Sequence, residues 1–200
     1  MIKNTFYNLP PEKRAKIIDV TKKEFLKGNK RKITINTVIE KAGISRGSFY
    51  QYFDDKLDLV ELVTDDMIDT IIDFIQDELM LNGGDIFQLP ARIFDISTVE
   101  RTDIGNFMTL SPESNQNSAL ISDYMQYRYQ KNNYIARFQE YIDTSSLKDN
   151  SPENIECIVI MLFDAIRSAI LDVNKNSRSV EDARRFLNKK VEIIKAGATV

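Results

Sequence analysis

The stretch Ile33-Thr-Ile-Asn-Thr-Val-Ile-Glu-Lys-Ala-Gly-Ile-Ser-Arg-Gly-Ser-Phe-Tyr-Gln-Tyr-Phe53 decides the reading of this chain. It predicts two short helices joined by a tight turn. Thr34 is placed to cap the first, which carries Ile35, Val38 and Ile39 at helical spacing and runs to about Lys41. Gly43 follows, and a residue without Cβ accepts the left-handed backbone that closes a helix. Ser45 supplies a fresh N-cap, and Phe49 and Phe53, four apart, share one face of the second helix. Arg46, Gly47, Ser48, Tyr50, Gln51 and Tyr52 populate the rest. A helix with an apolar stripe beneath and hydrogen-bonding groups above suits the major groove of DNA.

Upstream, Leu9-Pro-Pro-Glu-Lys-Arg14 opens a helix, proline being favoured at the first helical position. This helix is expected to reach about Lys27, with Ile17, Ile18, Thr21 and Phe25 covering the two short helices, and Gly28-Asn29 ending it. Lys30-Arg31-Lys32 makes a basic loop suited to phosphates or to solvent. Three helices in about 45 residues form a small head.

The run Thr34-Ile35 … Ala42-Gly43-Ile44-Ser45-x-Gly47-x-Phe49-Tyr50-x-Tyr52-Phe53-x-x-Lys56-x-x-Leu59 resembles the DNA-binding signature of the tetracycline-repressor (TetR) family, over roughly residues 10–60. Two positions depart from the family habit: Glu24 stands where an apolar residue is common, and Ile39 where a small alanine is usual. The resemblance implies a groove-facing set of Ser45, Arg46, Gly47, Ser48, Tyr50, Gln51 and Tyr52. Within it, Arg46 has the chemistry to read guanine and Gln51 to read adenine. Gly47 would let the backbones approach, while Thr34, Tyr50 and Lys56 would hold phosphates and position the helix.

Charge points the same way. Residues 1–56 hold 13 Lys/Arg against 6 Asp/Glu, a balance of +7, and residues 57–200 hold 14 against 24, a balance of −10. A basic head on an acidic body gives attraction where phosphate is met and solubility elsewhere. The chain has no histidine, which removes most zinc sites, Ser-His-Asp triads and Cys-His dyads. The expectation is a protein with no catalytic residue, no metal and no cofactor. A single cysteine, Cys157, forms no internal disulfide and fits a reducing cytoplasm. No apolar run reaches membrane-spanning length, and the N-terminus lacks the apolar core of a signal peptide.

Asp54-Asp55-Lys56 is expected to begin a long helix running to about Met80, with Val60, Val63, Met67, Ile71 and Phe74 on an apolar stripe. Asp66, Asp69, Asp73 and Asp77 lie on another stripe, too spread out to converge on a metal. Residues 86–110 read as short helices interrupted by Pro90 and Gly105, residues 111–117 as a polar loop, and about 118–143 as one longer helix. This middle is aromatic-rich. In the resembled family the corresponding helices enclose a small-molecule pocket, which implies a lining drawn from Met67, Ile71, Phe74, Phe94, Phe107, Tyr124 and Tyr127.

Ser151-Pro152-Glu153 starts a helix that is apolar almost all round from Ile155 to Val173. Asp164 and Arg167, three apart, are expected to pair. The last helix, about Val180 to Lys195, carries a single apolar seam, and Ala196-Gly-Ala-Thr-Val200 reads as a frayed end. So much apolar surface on two helices suggests a four-helix dimer interface, as in the family, built from Ile158, Leu162, Ile166, Ile170, Ala183, Leu187, Val191 and Ile194.

The sequence therefore predicts an all-α protein: a three-helix helix-turn-helix head, residues 1–55, on a larger helical effector-binding and dimerisation domain, residues 56–200. The expected function is that of a dimeric, ligand-responsive regulator. It would be a repressor that a small, largely apolar effector releases from a pseudo-palindromic, double-stranded operator. The alternative is a DNA-binding protein of the same fold without a small-molecule effector, controlled by a protein partner or acting architecturally.

Overall fold

The computed structural model describes residues 1–26, 34–100, 102–108, 120–121, 123–125, 127–128 and 132–200. Its regular elements are helices: α1 Asn4–Tyr7, α2 Pro11–Leu26, α3 Ile35–Ala42, α4 Arg46–Tyr52, α5 Lys56–Leu81, α6 Leu89–Thr98, α7 Asp103–Met108, α8 Pro152–Asn174 and α9 Val180–Ala198, with short 3-10 turns at Ile86–Gln88, Ile135–Arg137 and Gln139–Tyr141. The basic run 30–32 and the loop 111–117 lie outside the described residues.

The chain forms two compact units. The first comprises Met1–Asp69 with Leu110–Asn132, and the second Thr70–Thr109 with Asn133–Val200. In the first, α2 packs on α3, and Ile17, Thr21 and Phe25 are buried, as are Val38, Ala42, Phe49 and Phe53. Thr21 stays satisfied there because its hydroxyl donates to Ile17 O at 2.7 Å, as a buried polar group must. Helix α5 starts at Lys56, where Asp55 Oδ1 accepts from Leu57 N at 2.7 Å. Helix α1 has no counterpart in the sequence prediction.

In the second unit the C-terminal half of α5, α6, α8 and α9 enclose one apolar core. It includes Ile75, Leu79, Ile93 and Phe94 with Ile158, Leu162, Ile166, Ile170, Ala183 and Leu187. Helix α8 begins as its sequence predicts, with Ser151 Oγ accepting from Asn154 N and proline in the first turn.

Five local expectations are corrected here. Pro90 opens α6, where a missing N–H costs nothing, and does not interrupt it. Gly105 lies inside α7, where a Cβ would strike the carbonyl of Ile96; its role is close approach of α7 to α6, not a break. Of the helix expected over 118–143, the described residues 120–121, 123–125 and 127–128 are helical, but 132–143 are not and contain 3-10 turns: Asn133 Oδ1 accepts from Ala136 N at 3.1 Å, and Ile135 and Phe138 are buried. Asp164 and Arg167 form no ion pair and both stay exposed, where water solvates each charge and pairing gains little. Finally, the C-terminus is not frayed: Lys148 N donates to Ala198 O, Val200 N donates to Ser146 O, and Lys148 Nζ donates to Ala196 O and Gly197 O, each near 3 Å.

Candidate nucleic-acid interface

The turn between α3 and α4 is built as its residues dictate. Thr34 Oγ1 accepts from Thr37 N at 3.2 Å, and Gly43 ends α3 at φ 69°. Ser45 Oγ then accepts from Ser48 N at 3.0 Å. Each cap fixes the start of a helix too short to be stable alone.

Helix α4 rests on aromatic packing. Phe49 and Phe53 are fully buried with ring centroids 5.1 Å apart, and Phe6 of α1 stacks 5.1 Å from Phe53. The opposite face is open: Ser45, Arg46, Gly47, Tyr50 and Gln51 are exposed, and Ser48 is half-buried. A Cβ on Gly47 would meet nothing closer than Ser45 Oγ, at 3.8 Å, so its backbone stands clear on this face. The Arg46 guanidinium lies 5.9 Å from the Tyr50 ring and donates to Asn36 Oδ1 at 3.5 Å. Asn36 is exposed on α3 beside Arg46 and belongs to the same surface. Sequence reasoning missed it, although its place off the apolar face of Ile35, Val38 and Ile39 was the available signal.

Tyr52 is placed differently from its neighbours. It is buried, and its hydroxyl accepts from Lys13 Nζ at 3.4 Å, so it supports the surface from below. Thr34 is exposed at the start of α3, and Lys56 is half-buried at the start of α5. The family departure at Glu24 has a partner: Lys41 Nζ lies 2.6 Å from Glu24 Oε1, tying α3 to α2.

Behind the head sits an acidic group. Asp58 is buried and accepts from Asp54 N at 2.6 Å, with the amino group of Met1 2.6 Å from its other oxygen. Burial, aided by Asp65 and Asp58, holds the Glu61 carboxyl above its ordinary range. Burial likewise raises Asp65, against the opposing charge of Arg128, whose Nε lies 3.1 Å away.

The candidate effector residues are divided between the units. Met67 is buried in the first, where Tyr124 and the exposed Tyr127 stack with centroids 6.2 Å apart. In the second, Phe94 and Phe107 are buried, and Ile71 and Phe74 pack on the core. A void between Ile86, Leu89, Ile93 and Val159 holds about 10 Å³, room for one water.

The residues predicted for a subunit interface lie inside the protomer: Ile158, Leu162, Ile166, Ile170, Ala183 and Leu187 are buried, and Val191 and Ile194 pack on the same core. The seam of α9 faces α8. What these helices leave outward is a second stripe, with Ile160 and Met161 on α8 and Phe186 and Ile193 on α9, the last 63% exposed.

Two capped helices joined by a glycine turn, the second presenting a polar face over an aromatic base, form a helix-turn-helix, the motif by which many proteins enter the DNA major groove. Residues 17–63 match the family described as bacterial regulatory proteins, tetR family. A protein of Mesorhizobium loti MAFF303099 named for the TetR family of transcriptional regulators superposes with a TM-score of 0.66 at 19% identity, over 94% of this chain and 98% of that one. A transcriptional regulator from Cytophaga hutchinsonii ATCC 33406 gives 0.54 at 18% identity, over 92% and 97%, and a TetR regulator from Rhodococcus sp. RHA1 gives 0.53 at 13%, over 93% and 98%. At such identities the likeness is one of fold. No curated protein matches the chain in sequence. Residues 17–63 thus carry the DNA-binding region of the TetR family of bacterial regulatory proteins, and the chain as a whole has the all-helical fold of solved regulators of that family. Among the described residues no helix is long and apolar enough to cross a membrane.

Proposed function

We propose that this chain is a dimeric, ligand-responsive repressor that acts in the cytoplasm, with residues 1–55 reading DNA and residues 56–200 holding the effector and the partner copy. What carries the reading is the outward face of α4, where Arg46, Tyr50 and Gln51 stand exposed over buried Phe49 and Phe53. Arg46 offers a bidentate donor for guanine and Gln51 a donor–acceptor pair for adenine. Thr34, Tyr50 and Lys56 supply phosphate contacts, which orient without specifying, and Ser45, Gly47 and Ser48 face the groove beside Arg46. Tyr52 acts through Lys13, which it holds at the edge of the surface.

The second copy docks on the outward stripe of α8 and α9, through Ile160, Met161, Phe186 and Ile193. Exposed apolar groups on two adjacent helices suit a self-complementary interface. The effector is a small, largely apolar molecule taken up among Met67, Ile71, Phe74, Phe94, Phe107, Tyr124 and Tyr127. The second reading is control by a protein partner, or an architectural role, without a small-molecule effector.

Selection from random double-stranded DNA tests the first reading. It should return an inverted repeat, matching the two-fold axis of a dimer. A single asymmetric half-site would overturn the dimeric arrangement, and no enrichment would overturn DNA reading altogether. Native mass spectrometry of the purified protein then separates effector from partner control.

A further inference from the structure

Helix α4 leaves its last four carbonyls, those of Phe49, Tyr50, Gln51 and Tyr52, without partners inside the helix. All four are taken. Phe53 N donates to Phe49 O at 2.9 Å. The others are met by a segment more than forty residues earlier: Lys3 Nζ donates to Tyr50 O at 2.8 Å, Thr5 Oγ1 donates to Gln51 O, and Lys3 N donates to Tyr52 O at 2.9 Å. The segment is held in place by Ile2 and Phe6, both buried, Phe6 lying against the rings of Tyr52 and Phe53. Lys3 Nζ is also 2.7 Å from Asp54 Oδ1. Its charge thus sits at the negative end of the α4 dipole.

We propose that Ile2–Tyr7 is a positioning element of the DNA-reading surface: Lys3 and Thr5 clamp the C-terminal turn of α4 and fix the angle at which Arg46, Tyr50 and Gln51 meet the groove. The inference rests on the DNA-reading role proposed for α4. A helix of seven residues is far below the length that is stable in water, so its ends are set by whatever satisfies them. Ser45 holds the first turn. Tyr50 and Gln51 lie in the last, where loss of the cap frees the backbone that carries both side chains. Lys3 acts through α4: its ammonium is engaged by a carbonyl and a carboxylate of the protein, and it is not a phosphate contact.

The test uses the full chain with Thr5→Val and, separately, Lys3→Met, which remove donors but leave the Phe6 anchor. Affinity is measured across a salt series for the sequence that the wild type enriches and for an unrelated duplex, and hydrogen exchange is followed in α4. Each variant should lose about tenfold in affinity for the enriched sequence, the order expected for one hydrogen bond to a charged or helix-end group. Affinity for the unrelated duplex and the slope of log K against log salt should not change, and α4 amides should exchange faster. Thr5→Ser and Lys3→Arg should restore binding. A slope that falls by about one in Lys3→Met marks a phosphate contact and overturns the proposal, as do unchanged affinity and unchanged exchange in both variants. If one variant does not fold, the other decides: equal loss of enriched-sequence and unrelated binding in it also overturns the proposal. A wild type that enriches no sequence removes the DNA-reading role itself, and the exchange measurement then still reports whether the cap holds α4.

Discussion

Lys22 Nζ of α2 lies 2.5 Å from Asp66 Oδ2 of α5, with side chains 17% and 30% exposed. This pair fastens the helix that covers the head to the helix that leads away from it. The packing around both groups limits water, so the pair differs from the exposed i,i+4 contact of Lys23 with Asp19 on the same helix.

Lys22→Ala should therefore lower stability by about 1 kcal/mol, the upper end for exposed pairs, because it also leaves Asp66 without its lysine. A double-mutant cycle with Asp66→Ala, read by thermal or urea unfolding, isolates the coupling. Strictly additive losses would show that the contact contributes nothing.

On DNA, Arg46→Ala and Lys56→Ala should behave differently. Lys56→Ala should weaken all sequences about equally and lower the salt slope by about one. Arg46→Ala should cost about 1–3 kcal/mol and relax preference at one base position per half-site. Binding titrations over a panel of single-base variants separate the two, and identical profiles would remove Arg46 as a base reader.

Self-association should depend on the outward stripe. Ile193→Glu or Met161→Glu should give a folded monomer by sedimentation, since each adds charge to an exposed apolar position and disturbs no core packing. Leu187→Glu should instead unfold the protein, because Leu187 is fully buried within the protomer. A wild type that sediments as a monomer at micromolar concentration would end the dimer proposal.

Glu61 should make itself felt through pH. Its carboxyl is raised by burial and by Asp65 and Asp58, so the folded protein binds this proton more tightly than the unfolded chain does. Its contribution to stability is present at low pH and lost as pH rises through the folded-state pKa. Glu61→Gln should therefore gain on the wild type as pH goes from about 4 to about 7. Urea midpoints of the two proteins that stay a fixed distance apart over that range would mean that Glu61 titrates alike in both states.

Gly105→Ala should destabilise by about 1–3 kcal/mol, because the new Cβ meets the carbonyl of Ile96 and backbone cannot yield as a side chain does. For a chain of this size that is several degrees in Tm. An unchanged melting curve would mean that α7 and α6 can part without cost.

The sequence by itself determined the head. Caps, the Gly43 turn and the Phe49–Phe53 spacing act over a few residues, so Thr34, Ser45 and the starts of α3, α4, α5 and α8 could be read one after another. Helical periodicity places Arg46, Gly47, Tyr50 and Gln51 off the Phe49–Phe53 face, while their groove-facing role came from the family resemblance. What only the tertiary structure decided were matters between segments distant in the chain. An apolar seam on α9 has the same pattern whether α8 or a second chain covers it, and packing against α8 within one protomer settles that for Leu187. Tyr52 reads as one more polar residue of a helix face until Lys13 and Phe6 are brought beside it. The same holds for Lys3 and Thr5: nothing local marks them, and their role exists only because Ile2 and Phe6 find a buried place against the end of a helix more than forty residues away. Periodicity reports which side of a helix is apolar. It takes the folded chain to say what lies against that side.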